Sequence, residues 1–553
     1  MMSSRRRFAC RIGWLSILTI CSVGLGSAQA SPPSPVTADV NAWTVYHGSL
    51  AGSGAAESVS SVDTSARAWT SGRLDGEIYG EPLISSGLVY VATENDTVYA
   101  LSSITGAVVW SSHLGAPVPA GSLPCGNIAP TVGITGTPVI DQSRSEIFVV
   151  ADILRRGSPA HVLVGLNAAS GRTELTQVVD PPGADPAAIL QRSGLTLESG
   201  QVVFGLAGNY GDCASYRGRV VAVSEQGGTP TIFTIDAASG QSQGAVWMGG
   251  AAPTVDAGGH VWVSVGNGSA SSAGQGYDHS DSVLELSPSL KLLAYFAPTS
   301  WPENNAHDLD LSTAPALLSG GKVVVAGKSR VVYLLNGSDL GGIGREAASL
   351  VWGCSQDIDG GTAVVGATVY LPCLSGTIAV GVSTTPAALH LLWSAGVGGG
   401  PPIACGGMIW TIGQNGVLYG LNARTGRVQQ RAPIGVPANH FPTPSVADGL
   451  LLAPSADRVV AFAAMGTTSA AGTPSTGAAP STTTARRSAE AQPRGTEGSR
   501  GLSPGALIGI ASGALAVIGG AVWLLGGRRR RTAEFSTGRE DHLKNGSQPG
   551  QDE

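Results

Sequence analysis

The chain has 553 residues, 79 of them glycine, with 13% charged and 5% aromatic residues and a formal net charge of −6. That length holds two to four ordinary domains or one large repeat fold. Between residues 31 and 464, 18 Lys and Arg stand against 31 Asp and Glu, a formal charge of −13, and such sparse cations exclude a phosphate-binding surface and with it a nucleic-acid partner.

Residues 1–30 open with Arg5, Arg6 and Arg7, continue as an apolar run from Ile12, and close on the small-residue site Ala28-Gln29-Ala30. This is the pattern of a secretory signal peptide, absent from the mature protein. Ser4-Arg5-Arg6-Arg7-Phe8 fits the twin-arginine route for folded cargo, but three arginines also suit general secretion, so the export route stays open. Bulky Ile20 in front of Cys21 argues against a lipoprotein.

The ectodomain, 31–464, is built from one recurring strip. "TVYALSSITGAVVW" (97–110) returns as "VLVGLNAASGRTEL" (162–175), "TIFTIDAASGQ" (231–241) and "VLYGLNARTGRV" (417–428), with weaker copies at 331–342, 377–382 and 458–464. Each is a strand of alternating apolar residues, a turn with Ser/Thr-Gly, and a second strand. Upstream lies a small-residue strand, marked by Pro82, Pro138, Pro253, Pro315, Pro402 or Pro444, and without the proline around Leu195 and Ala363, which makes eight units. Four short strands per unit, apolar on both faces, must be sandwiched by neighbours around an axis. The predicted fold is therefore all-β, an eight-bladed β-propeller with four-stranded blades.

Gly and Ala in the strand that begins each unit suit a crowded axis, and Trp69, Trp110 and Trp393 fall where the outermost strand should wedge between blades. The last unit ends near Ala464 after three strands, whereas "ARAWTSGRL" (66–74) resembles the missing outer one. An N-terminal strand is thus expected to close the last blade and remove the open sheet edges.

Five cysteines follow the signal. Cys354 and Cys373 fall within one unit, on segments expected to run side by side, while Cys125 and Cys213 lie in long insertions. These are the expected disulfides, which export permits, and they leave Cys405 as a buried thiol. The most polar insertion, 274–282 with 301–312, gathers Asp278, Asp281, Asn305, Asp308 and Asp310. Their hard oxygens make Asp308 and Asp310 candidate ligands for Ca²⁺, which takes six to eight oxygens, against the alternative that these carboxylates cap turns. "DIDGG" (357–361) opens like a calcium loop but lacks the later ligands, and reads as a turn. His279 and His307 are lone loop histidines, expected to be solvated. No Gly-x-Ser-x-Gly, His-Glu-x-x-His or phosphate loop occurs, so no catalytic residue is assigned.

Residues 465–504 are dominated by Thr, Ser, Ala, Gly and Pro and are expected to form a disordered stalk. Residues 505–527 are 23 uncharged residues, about 34 Å as a helix, enough to cross a bilayer. Arg528 to Arg531 follow at once, so the span reads as one C-terminal transmembrane helix with 528–553 as a cytoplasmic tail, a single-pass type I membrane protein.

"PLISSGLVYVATENDTVYALSSITGAVVW" (82–110) resembles the repeat of the pyrroloquinoline-quinone-type (PQQ-type), quinoprotein-like eight-bladed propellers. Ala100, Leu101, Thr105, Gly106 and Trp110 match that family's turn, with Ser102 in place of its Asp, and the resemblance spans roughly 43–464. It implies the propeller fold and two activities. One is a binding or scaffold module of the cell envelope with a protein or polymer ligand on the propeller face and no cofactor, as in the propeller subunit of outer-membrane protein assembly. The alternative is a dehydrogenase using PQQ with Ca²⁺ on an alcohol or sugar. Such dehydrogenases place adjacent half-cystines over the quinone, and this chain has neither Cys-Cys nor a Cys-x-x-Cys-His haem site.

Overall fold

The strand alternation that predicts each unit also dictates how it packs. In blade 1 the second and third strands, Leu88–Ala92 and Thr97–Ser102, are buried almost throughout, while the outermost, Val108–His113, alternates towards solvent. A computed structural model describes residues 42–466, apart from 236, 238, 239, 352, 353, 355 and 356. It contains eight antiparallel blades: 1 (83–113), 2 (139–178), 3 (196–234), 4 (254–297), 5 (316–351), 6 (363–395), 7 (403–433), and 8 (445–466 with Val59–Thr70). The core lies in the seams between blades. Trp262, Val283 and Phe296 of blade 4 pack on Val323, Val325 and Tyr333 of blade 5, for example. Each such side chain contributes about 1.5–3 kcal/mol on burial, which no blade could collect alone.

The three tryptophans sit as expected. Trp69, Trp110 and Trp393 each leave an outer strand and lie over the turn of the next blade, and their indole N–H groups donate to the carbonyls of Ser103 (2.7 Å), Ala168 (3.0 Å) and Ala423 (2.9 Å). The closing strand is also as expected. Val59–Thr70 pairs antiparallel with Arg458–Gly466, so the start of the ectodomain completes blade 8, which runs two residues beyond Ala464. Cys125–Cys213 and Cys354–Cys373 are both bonded, and Cys405 is free and buried. The first cystine reaches from the blade 1–2 connection over blade 2 to blade 3.

The filling of the axis is not readable from the repeats. Residues 43–56 run around it, bonding to the inner strands of successive blades. The Trp43 N–H donates to Ile84 (2.7 Å), and Thr44, Leu50, Ser53 and Gly54 carbonyls accept from Ile140, Val255, Val364 and Ala404 at 2.7–2.8 Å. These donors belong to the inner strands of blades 2, 4, 6 and 7, whose axial edges would otherwise leave N–H groups unpaired. Ala55–Ala56 then adds a parallel strand to blade 7.

Four antiparallel strands per blade give the ring two unlike faces. One carries the connections between blades and the loops joining second to third strands; the other carries the tight turns. The third strand of blade 8 runs towards the turn face, so Gly466 leaves the ring there. Among the described residues the only α-helix is Trp301–His307, and no helix is long and apolar enough to cross a membrane. The signal, the stalk beyond Gly466, the 505–527 span and the tail lie outside the described residues.

Candidate functional site

On the connector face the inter-blade connections converge on the axis, where the N-terminal segment meets them. Tyr46 stacks on His47 with ring centroids 4.3 Å apart, and its hydroxyl accepts the Gly361 N–H at 3.1 Å. The His47 N–H donates to Glu81 Oε2 at 2.7 Å, and His47 Nδ1 lies 3.1 Å from the Thr362 carbonyl. Burial pushes the His47 imidazole down to about 4, so it is neutral near pH 7, and burial also raises the Glu81 carboxyl well above its ordinary value. Gly361 has no side chain because a β-carbon there would overlap both rings. The space left beside them, lined by Val45, Leu50, Pro253 and Ala314, is ≈ 10 Å³, room for about one water.

Above this layer Arg192 reaches in from the blade 2–3 connection, only 5% exposed. Its guanidinium lies 5.7 Å from the ring centre of Tyr79 and 5.5 Å from that of Phe441, on connections at either end of blade 8. Burial lowers its basicity, opposed by Tyr79 and Glu94. Burial likewise pushes Glu94 up to about 7, although its Oε2 accepts the Gly133 N–H (2.8 Å) and the Thr135 hydroxyl (3.1 Å). Asp96, fully buried at the blade 1–2 seam with neither carboxyl oxygen hydrogen-bonded, is pushed up to about 9 by burial and then by Asp152.

The acidic insertion lies farther out, over blades 4 and 5, and its carboxylates already have partners. Lys328 Nζ lies 2.6 Å from Asp310 Oδ2 and 3.1 Å from Asp308 Oδ2, which puts an ammonium where a cation shared by Asp308 and Asp310 would sit. Burial would lower Lys328, but Asp310 and then Asp308 outweigh it and hold the ammonium above its ordinary value. Asp310 Oδ1 accepts the Asn267 N–H (2.7 Å), Asp308 Oδ1 the Asn267 amide (2.6 Å), and Asn305 Oδ1 the Gly268 N–H (2.8 Å). Asp278 Oδ1 accepts the Ser280 N–H at 3.1 Å, and Asp281 Oδ1 that of Leu311 at 3.2 Å. Only Asp278 bonds within its own turn; Asn305, Asp308 and Asp310 tie the 301–312 segment to Asn267 and Gly268, and Asp281 ties it to the 274–282 segment. Within "DIDGG", Asp359 is buried against Ser312, and burial pushes it up to about 7.

His307 is exposed, as expected, with Nδ1 2.9 Å from the Glu303 carbonyl. His279 is not solvated. It is half-buried between Tyr277 and Tyr295, at 5.2 and 5.3 Å, and burial lowers its pKa. Arg192, Tyr79, Phe441 and Lys328 carry no motif and meet only through the ring, so the sequence offered no signal for them.

This arrangement also bears on a cofactor. One seated on the axis would have to displace Tyr46, His47 or Arg192, and the ≈ 10 Å³ cavity does not admit a tricyclic quinone. The axial residues of this chain do not fit that group.

A family model described as outer membrane protein assembly factor BamB matches residues 55–278. No curated protein matches the chain in sequence. Among solved structures, the quinohemoprotein alcohol dehydrogenase of Comamonas testosteroni is similar with a TM-score of 0.57 and 15% identity, over 76% of this chain and 80% of that one. Quinohemoprotein alcohol dehydrogenase ADHIIG of Pseudomonas putida scores 0.58 at 13% identity, over 78% and 81%. A europium-containing methanol dehydrogenase scores 0.58 at 13% identity, over 77% and 98%. Likeness at these identities carries the fold.

Proposed function

We propose that this chain, a quinoprotein-like propeller of PQQ-type repeats, is a membrane-anchored, extracytoplasmic binding module of the cell envelope that presents its connector face to a protein or polymer. The observation that carries this reading is the filled axis: residues 43–56 and Arg192 occupy the position an axial cofactor would need. Loops vary without disturbing the blades beneath them, so partner specificity is placed on the connector face. Photo-crosslinking residues placed at Tyr210 and Val436 on the connector face should give discrete adducts in native membranes, and one at Ile104 on the turn face should not. Equal labelling from both faces would refute the assignment of the face.

The second reading, a quinone-dependent alcohol or sugar dehydrogenase, is favoured by the fold shared with dehydrogenases of that class. PQQ and Ca²⁺ added to the purified protein separate the two. A binding module takes up no stoichiometric quinone and reduces no dye with alcohols or sugars; uptake with turnover would establish the dehydrogenase.

A further inference from the structure

On the turn face of blade 4, three side chains from the turn between the first and second strands and from the third strand converge on one point. Asp256 ends the inner strand, His260 opens the second, and Glu285 stands on the third, directly opposite Trp262. His260 Nδ1 lies 2.8 Å from Glu285 Oε1 and 3.3 Å from Asp256 Oδ2, and the three donor atoms all lie within 4.8 Å of one another. We propose that Asp256, His260 and Glu285 form a binding site for one Zn²⁺-like divalent transition ion, bound through His260 Nδ1.

Three arguments carry this. The first is the donor set. An imidazole nitrogen with two carboxylate oxygens suits Zn²⁺ rather than Ca²⁺ or Mg²⁺, which prefer oxygen alone. The second is spacing. Ligands at about 2.0–2.2 Å around a tetrahedral ion lie about 3.3–3.6 Å from one another, so the pair at 3.3 Å is already spaced for it and the pair at 2.8 Å opens by about half an ångström. The third is orientation. Asp256 Oδ1 accepts the Gly258 N–H (2.8 Å) and the His260 N–H (2.9 Å), and Oδ2 accepts the Trp262 indole N–H (3.1 Å). An outer layer of donors of this kind fixes a metal-binding carboxylate before the ion arrives. The three side chains are 36%, 28% and 13% exposed for His260, Asp256 and Glu285, so the ion has an entry path and a fourth position is left to water.

The chemistry balances simply. A neutral imidazole that takes the metal on its Nδ1 lone pair keeps its single proton on Nε2, so a tautomer carrying that proton on Nδ1 moves it to Nε2 through solvent with no net loss. Protons compete with the metal for the imidazole nitrogen and the two carboxylates, so affinity falls as pH drops. The site is independent of the axial face, so its failure would leave the binding-module reading untouched.

The test uses the full-length protein stripped with a chelator. Calorimetric titration with Zn²⁺ should show one equivalent bound, and Co²⁺ should give a tetrahedral visible spectrum. H260A and the isosteric E285Q should each weaken binding at least tenfold, and H440A, altering an exposed connector-face histidine, should not. No uptake by the wild type, or uptake that H260A and E285Q leave unchanged, overturns the proposal. If H260A fails to fold, E285Q alone decides.

Discussion

Trp69, in the first strand of the ring, lies across Gly106 in the turn of blade 1 and donates its indole N–H to the Ser103 carbonyl at 2.7 Å. A β-carbon on Gly106, which sits at φ +69°, would overlap the indole. The two residues therefore lock the joint between last and first blades. Gly106→Ala should cost about 2–4 kcal/mol from strain and a displaced ring, and Trp69→Ala about 3–5 kcal/mol. Gly72→Ala, where nothing lies within 4 Å of the added carbon, should change stability by less than about 0.5 kcal/mol. Urea unfolding midpoints compare the three; equal effects at Gly106 and Gly72 would remove the lock.

The two cystines close loops of very different length, 88 and 19 residues apart in sequence. In the chain-entropy account the longer loop contributes about 4–5 kcal/mol and the shorter about 3 kcal/mol. The pair of changes Cys125→Ser and Cys213→Ser should thus destabilise more than Cys354→Ser with Cys373→Ser, by about 1 kcal/mol. Thermal unfolding of the two double variants at one pH decides the order.

Asp96 gives a pH dependence of known sign. Its folded pKa of about 9 lies above the unfolded value, so the folded state holds a proton that the unfolded state loses. Its contribution is fully present below the unfolded pKa and is lost as pH rises through about 9. Wild type should therefore lose about 1–3 kcal/mol relative to Asp96→Asn between pH 5 and pH 7. A constant difference across that window would mean that Asp96 titrates normally.

Lys328 separates the two uses of the acidic insertion. Lys328→Met removes the counter-charge of Asp310 and should destabilise by about 1–3 kcal/mol, while Asp308→Asn, at a side chain 70% exposed, should stay within about 0.5 kcal/mol. With the ammonium gone, Asp308 and Asp310 are free to take Ca²⁺. Calorimetry should show Ca²⁺ binding in Lys328→Met that is weaker or absent in wild type; tighter binding in wild type would make Lys328 a bystander.

Periodicity carried most of the fold. Alternating strands, the Ser/Thr-Gly turns and the three tryptophans are local signals, and each reports one blade and its neighbour. The closing strand was legible because it repeats the pattern it completes. The plug was not, since Trp43 to Ala56 has no repeat character and its partners, Ile84, Ile140, Val255, Val364 and Ala404, are separated by tens to hundreds of residues. The same holds for Arg192, whose aromatic neighbours Tyr79 and Phe441 become adjacent only when the ring closes. Composition identified Asp308 and Asp310 as hard-oxygen donors, but the lysine between them lies in the next blade. Asp256 and His260 are four apart in sequence, yet Glu285 completes the trio only through strand pairing.

Hydrogen–deuterium exchange across residues 43–56 of the full-length protein, with and without PQQ and Ca²⁺, tests the filled axis most directly. The amides of Trp43, His47 and Gly54, bonded to Ile84, Glu81 and His47, should exchange as slowly as the blade strands in both conditions. Exchange within the first seconds, or protection that disappears when the quinone is added, would show an axis open to a cofactor.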